Sequence, residues 1–124
     1  MHVTRLFEHA TDARSVAAGT TIFETGDPRD YMYAVVDGAV EIRVNGRLVE
    51  TVEKGGIFGE MALIDNEPRT GTAVAKTDVR LVPIDEKRFL FLTHQTPNFA
   101  LHVMRVLSDR LRRMDERLGR ATRT

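Results

Sequence analysis

The chain has no cysteine among its 124 residues. That excludes a disulfide framework and a thiolate metal site, and an intracellular, cytoplasmic home is the simpler expectation. Nor does any apolar run approach the roughly 18 residues that a membrane-spanning helix needs, so no membrane span is expected. The segment from Met1 to Ala10 lacks the apolar centre of a signal peptide. Net charge is also missing, since 18 basic side chains balance 18 acidic ones. The balance is uneven, however. Arg105 to Thr124 holds seven arginines against Asp109, Asp115 and Glu116, a net of +4, which leaves −4 for the remainder. A basic tail of this kind can meet nucleic acid or anionic lipid. A solvated helix face with intrahelical ion pairs is the simpler reading.

What is present is ordinary for a soluble domain: 42% hydrophobic and 29% charged residues. The length fits one domain over residues 1–124, able to bury a single core. Residues 12–84 read as β structure, because short apolar runs are cut by turn residues at close intervals. These are Ala18-Gly19, Gly26-Asp27-Pro28, Asp37-Gly38, Asn45-Gly46 and Gly55-Gly56. Such spacing predicts a sandwich or barrel over βαβ units, which need a helix between strands. Glu41 to Val44 alternates polar and apolar, meets Asn45-Gly46, and returns as Arg47 to Val52. Asn-Gly supplies the positive φ angles of a type I′ turn, so a hairpin is expected here. Val74-Ala75-Lys76 and Val79 to Val82 form a second expected strand pair, broken at Thr77-Asp78.

After Pro83 the pattern becomes helical. Asp85 can cap a short helix through Leu92, with Phe89, Leu90 and Leu92 available for packing. Thr96-Pro97 supplies a hydroxyl cap followed by proline at the first helical position. No glycine or proline then intervenes until Gly119, the expected C-cap, so the C-terminal helices cover residues 85–119. Ala100, Met104, Leu107, Leu111, Met114 and Leu118 recur at helical steps, while Phe99, Val103 and Val106 add a second stripe in the first half. The first half is therefore expected to lie on the barrel. The second half is expected to project a seam, Met104 to Leu118, towards another helix, as a homodimer would use. The alternative, in which the whole stripe packs on its own barrel, stays open. The first eleven residues, around Leu6-Phe7, read as a short helical or irregular lead-in.

The stretch Gly55 to Ala75, GGIFGEMALIDNEPRTGTAVA, carries the chemistry. Its glycines stand where a chain turns sharply or approaches something closely. Met61 to Ile64 can form one turn of helix, whose first N–H groups favour an anion. Arg69 offers a planar fork of donors suited to two phosphate oxygens at once. Glu60 offers only acceptors, the right partner for sugar hydroxyls. Small residues at Ala62 and Gly71 let backbone amides reach the same anion. Together these describe a place for a group that is both a phosphate and a sugar.

Here the chain resembles the cyclic-nucleotide-binding domains of bacterial catabolite regulators, gated channels and kinase regulatory subunits. Their phosphate-binding cassette has the form F-G-E-x-A-L, a short variable segment, then R-[ST or A]-A-x. This chain matches with Phe58, Gly59, Glu60, Ala62, Leu63 and Arg69, the cassette covering residues 57–73. Phe23 to Asp27 resembles the family's early turn, and Tyr33 to Gly38 its entry to the first long hairpin. The resemblance implies a jelly-roll-like antiparallel β-roll with a short cassette helix and a long C-terminal helix. It implies that Arg69, with the amides of Ala62 and Gly71, binds the phosphate, while Glu60 beside Gly59 holds the ribose 2′-hydroxyl. Two departures stand out. Gly71 replaces the family's usual alanine, which keeps the amide and loosens the loop. Thr70 follows the arginine, where a hydroxyl is associated with cGMP yet also occurs in cAMP binders, so it does not settle the base; cAMP is the expectation over cGMP. Val49 and Val52 are expected to face the barrel interior, as core or as a lining for base and sugar. Met114 and Asp115 fall where family members cap the base, although a surface aspartate is the simpler reading.

Function classes then separate. A metal-dependent enzyme of the cupin kind needs histidines inside the barrel, and His2, His9, His94 and His102 all lie outside the expected strands. No Ser-His or Cys-His arrangement is available, so no catalysis and no cofactor are expected. Family regulators follow the long helix with a DNA-reading helix-turn-helix, for which nothing after Thr124 leaves room. The expectation is a ligand sensor that signals through its C-terminal helices to a dimer mate or an effector. The alternatives are a dimerisation module with a vestigial site and a regulatory fragment of a larger transcription factor.

Overall fold

Turn-punctuated apolar runs fold here into two antiparallel sheets. The computed structural model describes residues 4–7, 9–28, 30–63 and 68–122, the side chains of 4–5, 62–63 and 114–122 excepted. Among these, α1 (Thr4–Phe7) leads into β1 (Arg14–Val16), β2 (Thr21–Phe23), β3 (Met32–Asp37), β4 (Ala39–Val44) and β5 (Arg47–Glu53). Then come β6 (Ile57–Phe58), a 3₁₀ turn (Glu60–Leu63), β7 (Thr72–Ala75), β8 (Val79–Ile84), α2 (Glu86–Gln95) and α3 (Pro97–Thr122). One sheet runs β1-β8-β3-β6 and the other β2-β7-β4-β5. This is the expected class, an antiparallel β-roll followed by helices. The chain divides into two units, His2–Leu90 and Phe91–Thr124.

In the first unit, Asn45 and Gly46 take φ angles of 53° and 76°, so the expected I′ turn joins β4 to β5. The second expected strand pair is corrected. β7 pairs with β2 and β4, whereas β8 pairs with β1 and β3. At Lys76 and Thr77 the chain leaves one sheet for the other, both amides donating to the carbonyl of Ala39. Each strand has its own inward face to bury, Ala73 and Ala75 on β7, Val79 and Leu81 on β8. Two facing sheets bring those faces together in one core. Tyr33, Val35, Val40, Val52 and Phe58 complete that core. At roughly 1.5–3 kcal/mol for each fully buried large side chain, it is the main favourable term in folding.

The β4–β5 hairpin is not regular. Ile42 stands opposite Glu50 and Arg43 opposite Leu48, which leaves Val49 as an extra residue in β5. Val40 and Val52 face each other in the core, while Glu41 and Arg43 pair on the outer face at 3.5 Å. At the other end of the unit, the lead-in is held by Phe7, which is buried. Arg88 lies over the Phe7 ring, bonds the Asp12 carboxylate and donates to the Pro83 carbonyl at 3.2 Å.

The helices begin as the sequence indicates and end later. The Arg88 amide donates to the Asp85 carboxylate at 2.8 Å, the expected cap, but α2 runs on to Gln95 and leaves Leu90 exposed. α3 starts at Pro97 and continues through Gly119 to Thr122, so Gly119 is not the C-cap. A glycine inside a helix costs only about 1 kcal/mol relative to alanine, too little to end it by itself. Within α3, Phe99 and Val103 are buried, whereas Met104 and Leu111 of the seam are exposed. Met114 and Leu118, the rest of that seam, carry side chains outside the described residues.

The cap at Asp85 is testable. Asp85→Ala should lower stability by about 1 kcal/mol, while Asp85→Asn, an equally good cap, should lower it much less. Urea midpoints of the two variants check this.

Candidate functional site

The site is built around the backbone of one residue before its side chain is considered. Asp27 closes the Glu24–Asp27 turn twice, through its amide to the Glu24 carbonyl at 3.0 Å and its carboxylate to the Glu24 amide at 2.8 Å. That turn then grips Arg69. Gly26 donates to the Arg69 carbonyl and the Arg69 amide donates to the Asp27 carbonyl, both at 2.8 Å. Thr25 adds a tie to Thr72 at the start of β7, its amide lying 3.2 Å from the Thr72 hydroxyl. Arg69 is thus pinned to a turn more than forty positions earlier in the chain.

Its side chain runs inward and is only 6% exposed. Nη1 donates to the Gly59 carbonyl at 3.2 Å, Nη2 donates to the Tyr31 carbonyl, and the guanidinium carbon sits 4.0 Å over the Phe23 ring. Carbonyl dipoles and a ring face both favour the cation. Gly59 is required where it stands. Its φ is +74°, and a Cβ there would lie 2.8 Å from Arg69 Nη1. Glu60, the next residue, opens the 3₁₀ turn and is likewise 6% exposed. Among the described residues, Arg69 and Glu60 are the buried charged side chains.

Gly71 has a reason that sequence reasoning missed. It is buried, and a Cβ there would meet the Arg43 carbonyl at 3.0 Å and Val44 Cγ2 at 3.3 Å. Glycine at 71 admits a close approach of β4, rather than loosening the loop. Thr70 is exposed beside it, and the Ala62 backbone lies in the 3₁₀ turn. Val52 is core, and Val49 is the half-buried extra residue of β5. Met114 and Asp115 lie on α3, with side chains outside the described residues. Phe23 and Tyr31 were not singled out as site residues. Phe23 acts through a tertiary stack, and Tyr31 through its backbone carbonyl, which no side-chain pattern announces.

An aromatic group backs the guanidinium. Tyr33 stacks with Phe58 at 5.2 Å between centroids, and Phe23 lies 6.0 Å from Phe58. Burial pushes the Tyr33 hydroxyl above its usual 10.0, and the positive charges of Arg69 and Arg14 only partly offset this. Among the described residues no three His, Asp or Glu side chains come together as a metal site would require. What the arrangement offers is a buried cation, a buried carboxylate and nearby backbone amides.

Known proteins resemble this chain in sequence and fold. A model of the cyclic nucleotide-binding domain family matches residues 13–96. The cyclic nucleotide-gated potassium channel mll3241 of Mesorhizobium japonicum is 38% identical over 91 residues, 73% of this chain and 25% of the channel. The cAMP-dependent protein kinase regulatory subunit of Candida albicans is 40% identical over 80 residues, 64% of this chain and 17% of the subunit. This chain therefore spans a quarter or less of those curated relatives. Among solved structures, the Thermus thermophilus catabolite activator protein superposes with a TM-score of 0.78 at 30% identity, over 89% of this chain and 54% of that one. The EAL enzyme Bd1971 is similar in its cGMP-bound form, with TM-score 0.63 and 32% identity over 84% of this chain and 29% of that one. Its cAMP-bound form gives 0.61 and 31% over 86% and 30%.

Two outcomes follow from the geometry. Gly59→Ala and Gly71→Ala should each destabilise the chain by about 1–3 kcal/mol, from a positive φ with crowding in the first and crowding against β4 in the second. Denaturant unfolding measures both. The Tyr33 shift acts on alkaline stability. The folded phenol releases its proton less readily than the unfolded one, so the stabilisation is full below 10.0 and lost as pH rises from there through the higher folded value. Tyr33→Phe should flatten that decline relative to the parent chain in a pH series of unfolding midpoints.

Proposed function

The chain belongs to the cyclic nucleotide-binding domain family, and from that premise we propose that it is a regulatory sensor taking a cyclic nucleotide, cAMP in preference to cGMP, at Arg69 and Glu60. The observation that carries the reading is the burial of these two charges on either side of Gly59 and its bond to Arg69. A guanidinium has five N–H donors in a fixed fork, so anchoring to two carbonyls is compatible with also meeting an anion. Arg69 takes the phosphate oxygens in this reading, with the amides of Ala62 and Gly71 adding donors. Glu60 accepts from the ribose 2′-hydroxyl. Low local dielectric strengthens each of these contacts relative to water.

The lean to cAMP is supported by the kinase regulatory subunit, whose name is cAMP-dependent. It is a lean in ligand only, since Bd1971 has both a cGMP-bound and a cAMP-bound form. Binding, with no chemistry on the nucleotide, is the proposed activity, in the cytoplasm. Its output is a shift in how α2 and α3 are presented to a dimer mate or a separate effector. A ligand drives such a shift only by its difference in affinity for two states. A second reading, a dimerisation module with an unused site, is favoured by the exposure of Met104 and Leu111 on α3.

Calorimetric titration with cAMP and cGMP decides between them. Tight binding of one nucleotide is expected, with Arg69→Ala weakening it by about 2–5 kcal/mol. Because Arg69 also holds two carbonyls, Glu60→Gln serves as a variant that leaves that anchor in place, with an expected loss of about 1.5–3 kcal/mol. No heat from either nucleotide would favour the dimerisation module. Affinity unchanged in both variants would remove these residues from the site.

A further inference from the structure

One short segment grips Arg69 in two ways. Gly26 and Asp27 hold its backbone, and Phe23, at the end of β2, holds its side chain. A guanidinium carbon 4.0 Å from a ring centroid lies against the ring face, because an approach at the ring edge would leave it farther out. Nη1 is tied to the Gly59 carbonyl and Nη2 to the Tyr31 carbonyl. Two such ties still leave a planar group free to swing about the line that joins them. The ring face removes that swing.

Phe23 reaches this place because β2 is irregular. Thr21 stands opposite Val74 in β7, so a regular strand would set Ile22 opposite Ala73 and turn Phe23 to the outer face. Phe23 itself stands opposite Ala73 instead, which leaves Ile22 as an extra residue and brings Phe23 to the core face. Bulges recur where a side chain is re-aimed beside a site. On that face Phe23 stacks with Tyr33 at 6.3 Å and meets Phe58 at 6.0 Å, and both of those rings are buried. A half-buried ring backed by two buried ones is a firm support for the cation laid on it.

Resting on the cyclic-nucleotide reading above, we propose that Phe23 is a positioning residue of the phosphate site, which fixes the plane in which Arg69 offers its N–H groups. A guanidinium donates only in its own plane, so the setting of that plane decides which phosphate oxygen it reaches. Setting it before the ligand arrives removes an ordering cost from the binding step. An aromatic face does this without taking up an N–H donor.

Dissociation constants test this, measured for the whole chain and for Phe23→Leu, Phe23→Met and Phe23→Tyr. The probes are cAMP and the two diastereomers of its phosphorothioate, in which sulfur replaces one or the other exocyclic oxygen. The diastereomers share base, ribose and net charge, so their affinity ratio reads how sharply the site tells the two oxygens apart. The parent chain is expected to separate them by about tenfold or more. Phe23→Leu should lower that ratio at least threefold and weaken cAMP itself by about fivefold. Phe23→Met, a second variant without a ring, should do the same and serves if the leucine variant does not fold. Phe23→Tyr keeps the ring and should keep the ratio. A purely structural Phe23 would shift all three affinities together and leave the ratio standing, and that result overturns the inference. So does a parent chain that binds both diastereomers equally. If the parent chain binds none of the three probes, the cyclic-nucleotide reading fails and takes this inference with it.

Discussion

The guanidinium of Arg69 is the constraint on which this architecture turns. A buried cation is tolerable only when dipoles or anions surround it, because leaving it alone in a low dielectric costs several kcal/mol. Here the carbonyls of Tyr31 and Gly59 and the ring of Phe23 supply that environment. Those groups come from the approach to β3, the exit of β6 and the end of β2. One side chain therefore ties three separated segments, while its backbone is tied to a fourth contact at Gly26 and Asp27. Site and fold share the same interactions, so neither can be altered alone.

That sharing explains why small residues matter around the cassette. Gly59 makes room for Arg69, and Gly71 makes room for the backbone of β4. In each case the neighbour is a group that cannot simply move away, a buried guanidinium or a strand carbonyl. By resemblance, position 71 is usually alanine, and glycine there reads as loosening the loop. The packing instead shows a tight one, in which a Cβ would meet the β4 carbonyl of Arg43 at 3.0 Å.

β5, the hairpin partner of β4, carries the irregularity that sets Glu50 inward. The two features are neighbours through Ile42, which touches the space beside Gly71 and stands opposite Glu50. A two-sheet roll presents many inward positions, and most must be apolar for the core to form. The polar exceptions are Arg69 and Glu60, both buried, and Glu50, half-buried.

Local chemistry made much of this legible from residues alone. Asn45-Gly46 demands an I′ turn, Asp85 and Pro97 start helices, and Phe58 to Arg69 with its nearby glycines marks the family; each signal lies within a few positions of its effect. The sequence could not show that β7 and β8 belong to different sheets, since strand periodicity says which face is buried and not which neighbour lies beside it. Nor could it end α3, because one glycine is too weak a stop. The roles of Phe23, of the Tyr31 carbonyl and of Gly71, and the inward turn of Glu50, were decided only by tertiary structure. They arise from contacts between residues far apart in the chain, and from a single unpaired position that reverses every side chain beyond it.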